Sequence, residues 1–295
     1  MSAPNGPYND QTARRNGKAE DFRWMRIDAG RFTVRLAEDE DDVRAAQRLR
    51  YRVFVEEMGA SASAEDTVER RETDRYDPYF EHLLLIDNET DRPEIERGVV
   101  GVYRLMRDSS ARAGIGFYGE SEYDLAKLLS CGRKSVELGR SCVDSHVRGG
   151  AGMHMLWTGL GDYVNRHDIS IMFGVASFHG NDITPIAQAL SYLHHHHLAP
   201  ADLRVRAVAD RYAAMDILPP DRISRPDAMR QLPALIKAYI RLGGFVGEGA
   251  FIDHEFNTVD VCLLMDTSRM VDRYRNYYSR DRVLSPQSEG GASAE

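Results

Sequence analysis

The segment SVELGRSCVDSHVRGGAG, residues 135–152, decides how this chain is read. It begins as an apolar, β-branched strand and ends in a glycine-rich turn that opens an apolar helix. Two charges, Glu137 and Arg140, stand inside the part that ought to be buried. In a regular strand, residues three apart point to opposite faces, so the two would not share a site. Gly139 lies between them, and a glycine inside a strand often marks a bulge. A bulge turns both side chains the same way and leaves backbone N–H groups open to an extended ligand or an oxyanion. The turn that follows, His146 to Gly152, has the small residues that let backbone amides approach a phosphate at a helix N-terminus. An ordinary strand-to-helix turn beside a surface ion pair is the plainer reading, and spacing alone does not separate the two.

Upstream, FTVRLA (32–37) predicts a strand, and the acidic opening of residues 38–59 predicts a helix N-terminus. Val43, Ala46, Leu49, Val53 and Phe54 recur at helical spacing in that segment. Residues 60–79 are polar and read as a loop. HLLLID (82–87) and GVVGVYRLM (98–106), joined by NETDRP, form a hairpin pattern. A short helix near 121–130 leads into strand 135–143. A helix over 151–167, a strand over 169–177, a helix over 185–196 and a strand over 203–209 follow. The helix over 233–244 has proline where it starts and glycine where it stops. A strand at about 258–265 and an Arg/Tyr-rich helix close the chain. Hairpins alongside β-α-β crossovers predict an α/β fold with a mixed sheet, a bulged central strand and flanking helices. No internal boundary is visible, so residues 29–283 read as one domain between a disordered lead, 1–28, and a disordered tail, 284–295.

Composition narrows the function. With 42% hydrophobic residues in 295, the chain can bury a sizeable core. A formal net charge of −8 argues against bulk nucleic-acid binding. Cys131, Cys142 and Cys262 form neither a disulfide framework nor a C-x-x-C pair, which suits a reducing, cytoplasmic setting. No apolar run approaches the ~18–20 residues of a membrane span. No metal site is expected: His194 to His197 read as a helix end, where consecutive side chains point in different directions. Ser177, His179 and Asp182 are too close together to make a hydrolase triad, and no G-x-S-x-G elbow is present.

Bulged strand, glycine turn and helix together resemble the acyl-donor site of GNAT-type N-acyltransferases. RYRVFVEEMG (50–59), Asp74-x-x-Asp77, Arg104 and Glu137-x-x-Arg140 resemble the motif series of acyl-homoserine-lactone synthases, without the tryptophan expected soon after Phe54. From about residue 30 to 270 the chain is most similar to the haemolysin-like acyltransferases that make ornithine lipids. The stretches ETDRYDPYFEHLLLID (72–87), VELGRSCV (136–143), ASFHGND (176–182), LSYLHHHHLAP (190–200) and residues 232–265 carry that resemblance.

The resemblance implies transfer of a 3-hydroxy fatty acyl group from acyl-carrier protein to the α-amine of L-ornithine, giving lyso-ornithine lipid. The same chemistry on glutamine or glycine, a homoserine-lactone synthase, and a non-catalytic lipid- or carrier-binding protein are the alternatives. An attacking amine must first lose a proton. Glu137 with Arg140 is the expected catalytic pair, and Asp74 and Asp77 are the other carboxylates that suit a base or a side-chain cation. Arg50 and Arg104 are expected to fork to the substrate carboxylate, and Phe54 to pack in the core or the acyl pocket. Arg148, Gly149, Gly150 and Gly152 are expected at the donor phosphopantetheine. No bound cofactor is implied beyond that acyl-phosphopantetheine. Arg133, Lys134 and Arg148 would dock the acidic carrier, and the lipid product implies peripheral contact with the inner membrane.

Overall fold

The computed structural model describes residues 25–148 and 151–269. Among them the strands run β1 (Arg26–Ala29), β2 (Phe32–Leu36), β3 (Glu81–Asp87), β4 (Val99–Arg107), β5 (Tyr123–Asp124), β6 (Ser135–Val143), β7 (Ile171–His179), β8 (Arg206–Ala207), β9 (Tyr212–Ala213), β10 (Phe245–Val246), β11 (Ala250–Asp253) and β12 (Thr258–Asp266). One large sheet has the order β1-β2-β3-β4-β6-β7-β12-β11-β9, with β10 also on β12. Its pairs are antiparallel except β6 with β7, which are parallel. This is the expected mixed α/β sheet with helices on its faces.

Alternation along the strands builds two cores. On β3, Leu83 and Leu85 turn to one side, where the helix Ala151–Arg166 supplies Leu156, Leu160 and Tyr163. Leu84 and Ile86 turn to the other, against Ala45, Ala46 and Leu49 of the helix Glu40–Arg50. A second apolar cluster on that same face gathers Met106, Phe117, Phe173, Phe251 and Leu264. The candidate site residues lie between these two clusters, because Arg104 sits between Val102 of the first and Met106 of the second.

Several boundaries differ from the expectation. The disordered lead expected over 1–28 gives up its last residues to β1, which pairs with β2 through a two-residue turn. The helix expected to continue to residue 59 is α-helical only to Arg50 and π-helical over Tyr51–Glu57. There the Met58 N–H donates to the Val53 carbonyl, five residues back. The loop at 60–79 contains a helix, Ala64–Glu69, with a Ser63 N-cap that short-range apolar periodicity does not reveal. The strand expected over 203–209 shrinks to the two residues of β8. The histidine run does end a helix, Ala187–His197. The closing Arg/Tyr-rich helix and the tail 284–295 lie outside the described residues. No helix among the described residues is long and apolar enough to cross a membrane.

The helix Ala151–Arg166 approaches the sheet closely enough that a Cβ on Gly159 would lie 2.3 Å from Val34 Cγ1. Gly159→Ala is therefore expected to force helix and sheet apart, costing about 1–3 kcal/mol. Thermal unfolding should register this as a melting temperature lowered by roughly 3–10 °C.

Candidate active site

The bulge expected in β6 is present, but its unusual conformation falls on the arginine. Arg104 pairs with Gly139 and Val102 with Cys142, so Tyr103 faces both Arg140 and Ser141. Arg140 has φ +47°, in the left-handed region, while Gly139 does not. Holding a residue that carries a Cβ there costs about 1–2 kcal/mol. The effect is to bring Arg140 round to the face that carries Glu137. Tyr118 joins the two: its N–H donates to Glu137 Oε2 at 2.8 Å, and its ring lies 5.1 Å from the Arg140 guanidinium. Phe256 flanks the same guanidinium at 5.0 Å.

Three guanidiniums and three carboxylates then alternate in a buried network. Arg50 donates to Glu72 through Nε and to Asp77 Oδ1 through Nη1 at 2.7 Å. Arg104 Nη1 bridges Asp77 Oδ1 at 2.6 Å and Asp74 Oδ1 at 2.8 Å. Arg140 closes the set, with Nε to Glu72 Oε1 at 3.0 Å and Nη2 to Asp74 Oδ2 at 3.4 Å. Burial acts to raise all three acids, but the arginine charges outweigh it and hold Glu72, Asp74 and Asp77 below the ordinary carboxylate range. Their contribution to stability is full at neutral pH and is lost as pH falls through those lowered values. The Arg50 side chain is 0% exposed and that of Arg104 1%, whereas Arg140 retains 14%. The network thus absorbs Arg50, Asp77 and most of Arg104, and it presents Arg140 at its edge.

Glu137 is governed differently. It accepts from the backbone N–H groups of Tyr118 and Gly119, the latter at 2.6 Å to Oε1. Burial outweighs these amides and the Arg104 charge and pushes its carboxyl up to about 7. Beside it the sheet opens. β6 and β7 pair only over Ser135–Glu137 with Ile171–Phe173. Gly174 still presses on β6, since a Cβ there would fall 2.1 Å from the Leu138 carbonyl oxygen. Beyond this seam, residues 139–143 keep β4 on one edge and have no strand partner on the other among the described residues. A cavity of about 20 Å³ lined by Tyr103, Leu138, Gly174 and Tyr239 marks the parting.

A third group escaped the sequence reading. Glu122, Asp253 and Asp260 are all buried, and one carboxylate oxygen from each lies within 4.8 Å of the others. Burial first, and then the Asp260 and Asp253 charges, push Glu122 well above its ordinary value. Burial likewise raises Asp260, to about 6, despite a hydrogen bond with Ser177. Asp260 carried the same signal as Glu137, an acid in the middle of an apolar strand; Glu122 and Asp253 carried none.

The remaining expected residues are accounted for as follows. Phe54 lies on the π-helical turn and packs, half-buried, against the Leu49 and Leu84 cluster. Arg148 donates to the Val143 carbonyl at 2.7 Å and to Glu57 Oε2 at 2.5 Å. Gly149 and Gly150 lie outside the described residues. Gly152 permits close packing, since a Cβ there would meet Leu85 Cδ2 at 2.9 Å. Arg133 is forked to Asp266 at 2.8 and 2.5 Å, and Lys134 faces Asp168 at 3.3 Å. An apolar cavity of about 350 Å³ beside Trp157, Leu160, Met172 and Met265 lies on the opposite face of the sheet.

The family model described as an acetyltransferase (GNAT) domain matches residues 49–158, which hold the charged network, Glu137 and the β6 bulge. The chain is 52% identical over 250 residues to the L-ornithine N(alpha)-acyltransferase of Rhodobacter capsulatus, covering 84% of this chain and 95% of that one. It is 43% identical to the protein of that name from Brucella abortus, covering 85% and 90%. The chain belongs to the L-ornithine N(alpha)-acyltransferase family. Among solved structures, it is similar to FeeM, an N-acyl amino acid synthase from uncultured soil microbes, at TM-score 0.48 and 12% identity, over 82% of this chain and 93% of that one. It is also similar to the AHL synthase LasI, at TM-score 0.44 and 15% identity, over 80% and 91%.

Removing Arg50 leaves Glu72 and Asp77 facing each other without their shared cation. Arg50→Ala is expected to lose about 3–5 kcal/mol, as broken buried pairs do. A urea titration of the purified variant measures this, and an unchanged midpoint would show that the network carries no stability.

Proposed function

We propose that the protein transfers a 3-hydroxy fatty acyl group from acyl-carrier protein to the α-amine of L-ornithine, giving lyso-ornithine lipid. The observation that carries this reading is Glu137, buried and poised near neutrality where β6 and β7 part. Family membership supports the acceptor. The donor's phosphopantetheine lies as an extended chain along residues 139–143, using the backbone edge that no strand among the described residues occupies, with its phosphate toward Arg148, Gly149, Gly150 and Gly152. Backbone N–H groups on that edge receive the oxyanion as the thioester carbonyl becomes tetrahedral. Glu137 takes the proton from the α-ammonium, directly or through one water, and the amine then attacks the carbonyl carbon. The carbon–sulfur bond breaks, and the thiol leaves with a proton.

Arg140 holds the substrate carboxylate, being the one of the three guanidiniums that retains exposure. Arg50, Arg104, Glu72, Asp74 and Asp77 position it. Phe54 shapes the apolar wall behind this network. The carrier protein, itself acidic, meets the chain near Arg148. The setting is cytoplasmic, with peripheral contact at the inner membrane where the product enters the lipid.

Glu137 must be ionised to act as a base. The rate should therefore rise with pH through about 7, and this limb should disappear in Glu137→Gln along with about 10²–10⁴ of kcat. The amide also turns an N–H donor toward a backbone donor, so the variant should lose about 1–3 kcal/mol of stability. A pH–rate profile of a folded variant that matches the unaltered protein would remove Glu137 from the chemistry.

The donor is tested by competition. With 3-hydroxyacyl-carrier protein and 3-hydroxyacyl-CoA offered together, the carrier should be used at least about tenfold more efficiently, a difference of about 1.4 kcal/mol. Equal or better use of the CoA thioester would overturn the donor assignment and leave the acceptor reading standing.

A further inference from the structure

We infer that Glu122, Asp253 and Asp260 form the subsite for the side-chain δ-ammonium of the acceptor and so select a diamino acid over neutral ones. This inference rests on the ornithine reading and adds the residues that enforce it. The three acids come from separate elements: the residue before β5, the end of β11 and the middle of β12. Asp253 is tied locally, accepting the N–H groups of Glu255 and Phe256 at 2.7 and 3.1 Å. The other two are less satisfied. Glu122 and Asp260 are each 3% exposed, yet Glu122 Oε2 and Asp260 Oδ1 are buried with no hydrogen-bond partner among the described residues. Buried carboxylate oxygens left in that state cost free energy unless a donor arrives.

The size of the cluster suits an ammonium. Three N–H donors spread tetrahedrally, with bonds of about 2.8–2.9 Å, place their acceptors roughly 4.6–4.7 Å apart. The three oxygens here are no more than 4.8 Å apart, close enough for a single ammonium to reach all three. Position suits it as well, because two aromatic residues connect the cluster to Arg140. Phe256 donates its N–H to Asp253 and stacks on Arg140 at 5.0 Å. Tyr118 shares a hydrogen bond with Glu122 and stacks on Arg140 at 5.1 Å. With the α-carboxylate on Arg140, the side chain runs past these rings toward the acids. Asp74 and Asp77, the pair the sequence offered for the cation, already face the three arginines of the network.

The test compares L-ornithine with L-norvaline, which has the same carbon chain and no side-chain amine, using 3-hydroxyacyl-carrier protein as donor. Asp260→Asn and Glu122→Gln should each lower the ornithine-to-norvaline ratio of kcat/KM about tenfold or more, the usual value of hydrogen bonds to a charged group. The change should appear as a raised KM for ornithine, with norvaline use unaffected. The ligand-free variants should melt no lower than the unaltered protein, because an amide relieves repulsion within the cluster. In the unaltered protein, ornithine should raise the melting temperature more than norvaline does. An unchanged ratio in a folded variant, equal losses on both acceptors, or equal thermal shifts would overturn the subsite. So would activity that a chelator abolishes and Mg²⁺ or Ca²⁺ restores through these acids, which would assign them to a metal. An unaltered protein that acylates norvaline but not ornithine would sink the acceptor reading itself. One that prefers ornithine, with variants that keep the preference, would sink only the subsite.

Discussion

A single backbone conformation organises the charged side of this protein. Arg140 at φ +47° converts a strand whose third residue would point away into one that presents Glu137 and Arg140 to the same face. The local cost is met by the contacts that the turned side chain then makes, with Glu72 and Asp74 and between two aromatic rings. Without the bulge, Glu72 and Asp74 would each lose a cation, and the alternation of charges from Arg50 to Arg140 would stop short. The same extra residue coincides with the stretch where β6 leaves β7, so the geometry that arranges the charges also bares the backbone.

The two kinds of buried acid on this face behave in opposite ways for one reason. Glu72, Asp74 and Asp77 have guanidiniums in contact and stay ionised. Glu137 and Glu122 have no guanidinium against their oxygens among the described residues, and burial prevails. A chain with so many arginines near its site keeps some carboxylates fixed as anions for structure and leaves others free to exchange protons or accept a cationic ligand.

Much of this was legible in the sequence, and the limits have physical causes. Charges in an apolar strand are conspicuous, so Glu137 and Arg140 stand out, and the hairpin of β3 and β4 follows from two apolar runs and the turn residues between them. The bulge was foreseen, yet assigned to Gly139, because a glycine is the residue expected in a left-handed conformation; ion pairs distant in sequence hold Arg140 there instead. The family resemblance picks out Arg50 and Arg104 for a substrate carboxylate and Asp74 and Asp77 for a base or a side-chain cation. Whether their charges face a substrate or one another depends on how β4 and the loop before β3 meet in space. Glu122 gave no signal, since it stands among polar residues and is buried only by the return of β11 and β12 more than a hundred residues later. The π-helical turn was invisible because its apolar spacing is that of any helix.

The seam between β6 and β7 has one more consequence. It spans three residue pairs, Ser135–Glu137 against Ile171–Phe173, and it is where the strands β1 to β4 with β6 join β7, β12, β11, β9 and β10. In mechanical terms it is the narrow waist of the sheet. A chain laid along the bare edge of β6 adds hydrogen bonds across that waist, as a peptide does when it augments a sheet. With the acyl donor bound as proposed, the protein would be a stiffer object than when free, its two halves joined into one ladder by a molecule that leaves at the end of each turnover.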